Sequence, residues 1–274
     1  MKLRQQNNMK KLGFSLILAF LFLVAIYALL FPYPSEFAEC DLYEEIIQRG
    51  KIKVGINAES KPFGFYDEKG NLAGYDVDLA KYIAQYILKN PENIELIPVT
   101  PSNRLIKAST GEVDVVISTV TITPQRQEIV SFSIPYDAAG QAVLVKSNSQ
   151  IKSISDLAGQ VVGVIFGTTA EKNMSNLVPT ASLRGFKSYQ EAYEALKAGQ
   201  INAVTSDDTI LNSFVISDSS VKLLPKRYSH EPYGIAFKKG KSTRKLKENL
   251  DFAIKDMKQK NIILRLRKRW NLEA

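Results

Sequence analysis

The sequence predicts an α/β protein of two lobes, preceded by an apolar N-terminal helix. Three observations carry that prediction. Strand-like and helix-like periodicities alternate along most of the chain, the pattern of βαβ units around mainly parallel sheets. The alternation starts afresh near Gln141, so the elements fit two lobes better than one sheet. Finally, Lys2, Arg4, Lys10 and Lys11 precede an uncharged apolar run at 12–31, matching the ~20 residues that cross a bilayer. The 274 residues, 45% hydrophobic, suffice for one large or two modest domains.

The basic flank places the N-terminus in the cytoplasm and the remainder outside it. No small-x-small cleavage site follows, and Glu39 before Cys40 fits a lipoprotein box poorly. Residues 1–40 are therefore expected as an uncleaved membrane anchor plus linker, in preference to a cleaved signal. Cys40 is expected as a plain thiol, with lipidation the alternative. Pro32, Pro34 and Ser35 break the helix.

Residues 52–56 then read as a strand, and 76–88 as a helix with Val77, Ala80, Ile83, Ala84, Ile87 and Leu88 on one face. A strand at 93–99, a helix at 102–109 and a buried strand at 113–117 follow. The second series has strands at 141–146 and 161–166, with a short helix at 153–157 between them. Residues 167–171 open another helix with hydroxyls at its start. A helix at 188–198 ends at Gly199. After a strand at 201–204, Asp207 or Asp208 caps a further helix. Short strands are expected at 221–224 and 233–237, and helices at 243–258 and 262–270.

The most informative stretch runs Ser118, Thr119, Val120, Thr121, Ile122, Thr123, Pro124, Gln125, Arg126. A strand end carrying hydroxyls and then a guanidinium suits a small carboxylate, because Arg donates two parallel hydrogen bonds. The strand at 201–204 ends in Thr205, Ser206, Asp207 and Asp208, an anionic end that suits an ammonium group. Together the two strand ends suit an α-amino acid. Ordinary turn and cap chemistry accounts for the same residue types.

Composition and motifs exclude several classes. One Cys and one His rule out a disulfide framework within the chain and argue against a His/Cys metal site. The net charge of +8 comes from 36 basic and 28 acidic residues that are interleaved, which is not a nucleic-acid pattern. The densest basic run, Arg265 to Arg269, is expected as the solvated face of a terminal helix that buries Ile262, Ile263, Leu264, Leu266 and Trp270. A docking surface is the alternative there. Gly70 to Gly74 lacks dinucleotide spacing, there is no P-loop, and His230 has no serine elbow to serve. Asp76 and Asp78 are expected to favour a helix dipole. No cofactor is expected.

Several ordered segments carry a family resemblance: Lys61-Pro62-Phe63-Gly64-Phe65, Gly74-Tyr75-Asp76-Val77-Asp78-Leu79-Ala80, and Thr121-Ile122-Thr123-Pro124-Gln125-Arg126. They continue with Phe132-Ser133-Ile134-Pro135-Tyr136, Asp156-Leu157-Ala158-Gly159, Gly167-Thr168-Thr169-Ala170-Glu171 and Tyr233-Gly234-Ile235-Ala236. Through them, residues 42–271 resemble the periplasmic amino-acid-binding proteins of ABC importers, family 3 of the bacterial extracellular solute-binding proteins. The resemblance implies a two-lobed, type II periplasmic-binding-protein-like fold. Lobe 1 would comprise 41–138 and 235–274, and lobe 2 would comprise 139–234 with hinge strands near 139–142 and 231–234. Lobe closure would trap the ligand.

By the same resemblance, Arg126 clamps the ligand α-carboxylate, with Thr119 and Thr121 donating to it. Thr169 and Thr168 complete that cage at a helix N-terminus. Asp207 accepts from the α-ammonium. Ser60 and Pro101 stand where many relatives carry aromatics, so the usual sandwich is incomplete. Arg104 either pairs a ligand side-chain carboxylate or lies on a helix surface, and Phe63 either walls the pocket or belongs to the core. Asn57 counts against a simple glutamate assignment. The implied ligand is glutamate, aspartate or glutamine, delivered to an ABC permease and its ATPase by a monomer outside the cytoplasmic membrane. A dehydratase of prephenate or arogenate type and a sensory module are the alternatives.

Overall fold

The computed structural model describes residues 20, 22–27 and 41–272. The chain divides into two units, Met1–Cys40 and Asp41–Ala274. In the first, residues 22–27 are helical, with Phe22, Leu23, Val24 and Tyr27 exposed. Apart from residues 20 and 22–27, the expected 12–31 span, its basic flank, the linker and Cys40 lie outside the described residues. Among the described residues, no helix is long and apolar enough to cross a membrane.

The second unit opens with helix α1 (Leu42–Arg49), which the sequence pattern did not suggest. Asp41 caps it by accepting the Tyr43 N–H at 2.9 Å, and Gly50 ends it at φ +67°. Strand β1 (Ile52–Asn57) leads into a small antiparallel sheet of β2 (Glu59–Ser60), β3 (Gly64–Tyr66) and β4 (Leu72–Ala73). Helix α2 (Tyr75–Leu88), β5 (Ile94–Val99), helix α3 (Arg104–Thr110) and β6 (Val115–Val116) follow as expected. Helix α4 (Pro124–Ile129) and β7 (Val130–Phe132) complete this stretch.

Strand β8 (Asp137–Ala139) leads through Gly140 into β9 (Gln141–Lys146) and the second series. A 3-10 turn at Ile154–Leu157, β10 (Val161–Ile165), helix α5 (Ala170–Leu177), β11 (Ser182–Phe186) and helix α6 (Tyr189–Lys197) follow. Next come β12 (Ala203–Asp207), helix α7 (Asp208–Ser217) and β13 (Val221–Leu223). The chain returns through β14 (Glu231–Tyr233) and β15 (Ala236–Lys238), and finishes with helices α8 (Arg244–Gln259) and α9 (Ile262–Arg269).

Two five-stranded sheets result, ordered β5-β1-β6-β15-β7 and β11-β10-β12-β9-β13. The expectation of mainly parallel sheets needs correction. In each sheet two pairings are parallel and two antiparallel. β9 and β15 each enter their sheet directly from the crossing segments, without a crossover helix, and so run against their neighbours. The crossing strands β8 and β14 pair with each other, and Tyr233 of β14 also bridges Thr121. The single strand expected at 233–237 is for the same reason two. Tyr233 pairs with Asp137 in the crossing pair, and Ala236 pairs with Phe132 in the first sheet.

The apolar faces explain the layers. Helix α8 buries Leu246, Leu250, Ala253, Ile254 and Met257 on one helical stripe. Each buried Leu contributes about 1.5–3 kcal/mol. Helix α9 buries Ile262 and Leu266, while Leu264, expected inside, is 46% exposed. Its basic run is not simply solvated. Arg267 pairs with Asp137, Arg269 pairs with Asp78 at 3.2 Å, and Trp270 Nε1 donates to Asp78 at 2.9 Å. Asp78 therefore anchors the C-terminal helix.

Candidate functional site

Arg126 lies on α4, where Thr123 accepts its N–H at 3.2 Å and Pro124 starts the helix. Its guanidinium is buried. Nη1 donates to the Thr121 carbonyl at 2.8 Å, and Nη2 donates to the Gly167 carbonyl at 3.0 Å. Because Thr121 precedes the crossing and Gly167 follows β10, this one side chain ties the two sheets' surroundings together. Burial, and then the charge of Arg104, lower its pKa to about 10.

Arg104 is 2% exposed, so it is not a helix-surface arginine. Nη1 donates to the Ser118 carbonyl, while Nε has no partner. Ser118 Oγ, also fully buried, is likewise unpaired. Burial pushes the Arg104 guanidinium down, and the nearby Tyr189 and Asp207 oppose that.

Asp207 stands where β12 passes into α7, with no side-chain cap bond. It is 8% exposed, and its Oδ2 accepts from the Tyr233 hydroxyl at 2.5 Å. Burial raises its pKa to about 6, against the lowering effect of the Tyr233 hydrogen bond. Phe63 is fully buried and packs edge-on against Tyr75 at 5.6 Å and Tyr233 at 6.0 Å. It is core, and it backs the ring whose hydroxyl holds Asp207.

Thr119 is buried at φ +46°, a strained conformation for a β-branched residue. Its N–H donates to the Tyr136 hydroxyl at 3.2 Å, and that hydroxyl donates to Asp76 Oδ1 at 3.2 Å. Asp76 is thus more than a helix-dipole residue. It is 1% exposed, and burial raises its pKa to about 8. A neutral Asp76 under the Thr119 turn predicts that Asp76→Asn keeps ligand affinity. Asp76→Ala should weaken affinity about tenfold, the loss of roughly one hydrogen bond's worth of positioning. Titration calorimetry on both variants decides this, and equal affinities in both would refute it.

Thr168 Oγ1 donates to the Ile165 carbonyl at 2.8 Å, and Thr169 Oγ1 donates to Glu231 Oε2 at 3.0 Å. Glu231 was not a candidate from sequence. It is buried on β14, and its Oε1 accepts from Asn173 Nδ2 at 2.9 Å and Ser229 Oγ at 2.6 Å. Asn57, also buried, accepts the Glu59 N–H at 3.0 Å and so shapes its own turn.

The structure therefore gathers Arg104, Arg126, Asp207 and Glu231, all buried, around the crossing strands. Thr119, Thr121, Thr168 and Thr169 stand beside them. Tyr233, Tyr189 and Glu231 are the members that sequence reasoning missed. Tyr233 lay in a quoted motif, but nothing in that motif reveals a hydrogen bond to Asp207.

Comparison with known proteins agrees with this architecture. The family model of bacterial extracellular solute-binding proteins, family 3, matches residues 52–273. The chain is 35% identical over 238 residues to the ABC transporter glutamine-binding protein GlnH of Bacillus subtilis (strain 168), covering 86% of each. It is 40% identical over 194 residues to a glutamine-binding protein of Geobacillus stearothermophilus, covering 70% of this chain and 74% of that one. A solved structure of an ancestral arginine-binding protein bound to glutamine superposes with TM-score 0.75 at 38% identity, over 82% of this chain and 99% of that one. The chain belongs to the bacterial extracellular solute-binding proteins, family 3.

Proposed function

We propose that the protein captures a free amino acid outside the cytoplasm, with glutamine preferred, and presents it to an ABC permease and its ATPase. It is a binding protein, not an enzyme, as its named relatives are. The observation that carries the ligand preference is the charge balance of the buried cluster. Two guanidiniums, Arg104 and Arg126, face two carboxylates, Asp207 and Glu231. A zwitterion with a neutral side chain preserves that balance, whereas glutamate or arginine adds an uncompensated buried charge. The unpaired Arg104 Nε suits a side-chain carbonyl oxygen, which glutamine supplies.

In this reading Arg126, Thr119 and Thr121 hold the α-carboxylate, with Thr168 and Thr169 closing over it at the start of α5. Asp207 takes the α-ammonium, Arg104 meets the side-chain amide, and Phe63 supports Tyr233. The lobes are 41–138 with 235–274, and 139–234, moving about the β8–β14 pair. Closure is what the permease would recognise. The apolar run at 12–31 behind four basic residues supports a membrane anchor for a monomeric receptor.

The test is calorimetry of the purified protein with glutamine, glutamate and arginine. Glutamine should bind most tightly, and at 100 times its Kd should add about 2.7 kcal/mol of stability. The Asp207 carboxyl must be ionised to hold an ammonium. Below its pKa of about 6 in the free protein, binding must first release a proton. Affinity should therefore be flat above pH 6 and fall by up to ~tenfold per unit below it. A tighter complex with glutamate, or affinity rising as pH falls from 7 to 5, would overturn this assignment.

A further inference from the structure

A cavity of about 830 Å3 lies beside the charged cluster. Ser60, Phe65 and Trp270 wall one side of it, and Tyr189, Thr209 and Phe214 the other. The first three belong with the first sheet and the last three with the second, so the cavity spans both halves of the molecule. Two of its walls are also walls of the cluster. Tyr189 lies close to Ser206, Asp207 and Arg104. Thr209 Oγ1 is 3.5 Å from the Tyr233 hydroxyl that holds Asp207.

The cavity's size and chemistry exceed what one short side chain requires. Its volume falls in the ~300–1,000 Å3 range of sites for drug-sized molecules. Four of its five aromatic groups come as two pairs, Phe65 with Trp270 edge-on at 5.7 Å and Tyr193 with Phe214 stacked at 4.5 Å. Asn212 and Ser213 add neutral hydrogen-bonding groups, and the two ionic residues on its wall, Glu59 and Lys61, are of opposite sign. Ser60, whose carbonyl accepts the Phe63 N–H at 2.7 Å, lines the cavity with a small side chain. A large side chain there would narrow the cavity.

We infer that this chamber receives the far end of an elongated ligand, an α-amino acid whose side-chain amide continues into a neutral polar or aromatic group. γ-Glutamyl amides and glutamines substituted on the amide nitrogen form that class. The inference rests on the amino-acid reading above: the cluster holds the α-carboxylate, the ammonium and the amide carbonyl. The amide nitrogen then points its substituent past Tyr189 and Thr209. Aromatic substituents gain most, since aromatic pairs contribute about 0.5–1.5 kcal/mol beyond burial.

Calorimetry with glutamine, γ-glutamylethylamide and γ-glutamyl-p-nitroanilide tests this, on the wild type and on Asn212→Trp. Asn212 is half-buried on α7 and faces the chamber without touching the charged cluster. Both amides should bind wild type within about tenfold of glutamine, and Asn212→Trp should weaken the p-nitroanilide at least ~30-fold while changing glutamine by less than ~threefold. Ser217→Trp, on the exposed end of the same helix, repeats the test should Asn212→Trp lose its cooperative melting transition. Glutamine binding without amide binding overturns the chamber and leaves the amino-acid reading standing. Amide binding that ignores both tryptophans also overturns it. Failure of all three ligands on wild type defeats the amino-acid reading, and the chamber with it.

Discussion

Arg126→Ala should abolish measurable capture of the amino acid, raising Kd by ~10²–10⁴-fold. The guanidinium is 8% exposed and already donates to carbonyls at Thr121 and Gly167. A ligand carboxylate would add charge-assisted bonds of about 1.5–3 kcal/mol each, and a bidentate fork makes two of them. Alanine removes those bonds and leaves a buried Asp207 and Glu231 with one fewer positive neighbour. Arg126→Lys retains the charge but not the planar fork, and should recover only part of the loss. Titration calorimetry at pH 7.5 measures both variants, and a melting transition close to wild type shows that the fold persists. Near-wild-type affinity in the alanine variant would remove Arg126 from the site.

Gly167→Ala should cost about as much by another route. Gly167 has φ +79°, and a Cβ there would lie 2.6 Å from the Pro101 carbonyl carbon and 2.7 Å from Ser102 Cα. Pro101 and Ser102 precede α3, on the side of the first sheet, whereas Gly167 follows β10 in the second. The close approach is therefore between the two halves, and backbone meets backbone with no flexible side chain to yield. The left-handed conformation adds about 1 kcal/mol for any residue with a Cβ. The expected outcome is a folded protein whose halves cannot meet fully, with ligand affinity down ~100-fold or more. Small-angle scattering with and without glutamine reads this directly. Wild type should contract on adding glutamine or remain compact throughout, and Gly167→Ala should stay the more extended. Unchanged affinity in a variant of normal compactness would show that this approach is not needed for capture.

Much of the fold was legible because its long elements bury regular stripes. Helices α2 and α8 each carry an unbroken apolar period and β1 is buried almost throughout, and the bounds of all three and of β5 fall within a few residues of those expected. The elements that escaped are short or lack a period. β11 reads Ser-Leu-Arg-Gly-Phe, an edge strand whose only buried residue is Phe186. β8 has three residues and pairs only with β14, far along the chain. Helix α4 was not expected either: Thr123 as cap and Pro124 at its first position signal it, but its six residues bury little beyond Arg126.

The candidate site divides along the same line. Local sequence placed Thr119, Thr121 and Arg126 together, since the eight residues 119–126 of loop and helix suffice to carry them. It did not reveal that Arg104 is buried, because the covering comes from Ser118, Tyr189 and Asp207 rather than from its own helix. Nor did it reveal Glu231, whose partners Thr169 and Asn173 lie 62 and 58 residues earlier.

The amino-acid order by itself determined the alternation of strands and helices, the two-lobed class, and the residue types at each strand end. Those are properties of contiguous segments, set by backbone propensity and by which side chains must leave water. Tertiary structure alone decided which charges share one buried space. It also decided that Arg126 reaches Gly167, that Tyr233 holds Asp207, and that a chamber opens beside them. The energy of a buried charge depends on every neighbour that excludes water from it, and those neighbours meet only when the crossing strands bring distant segments together.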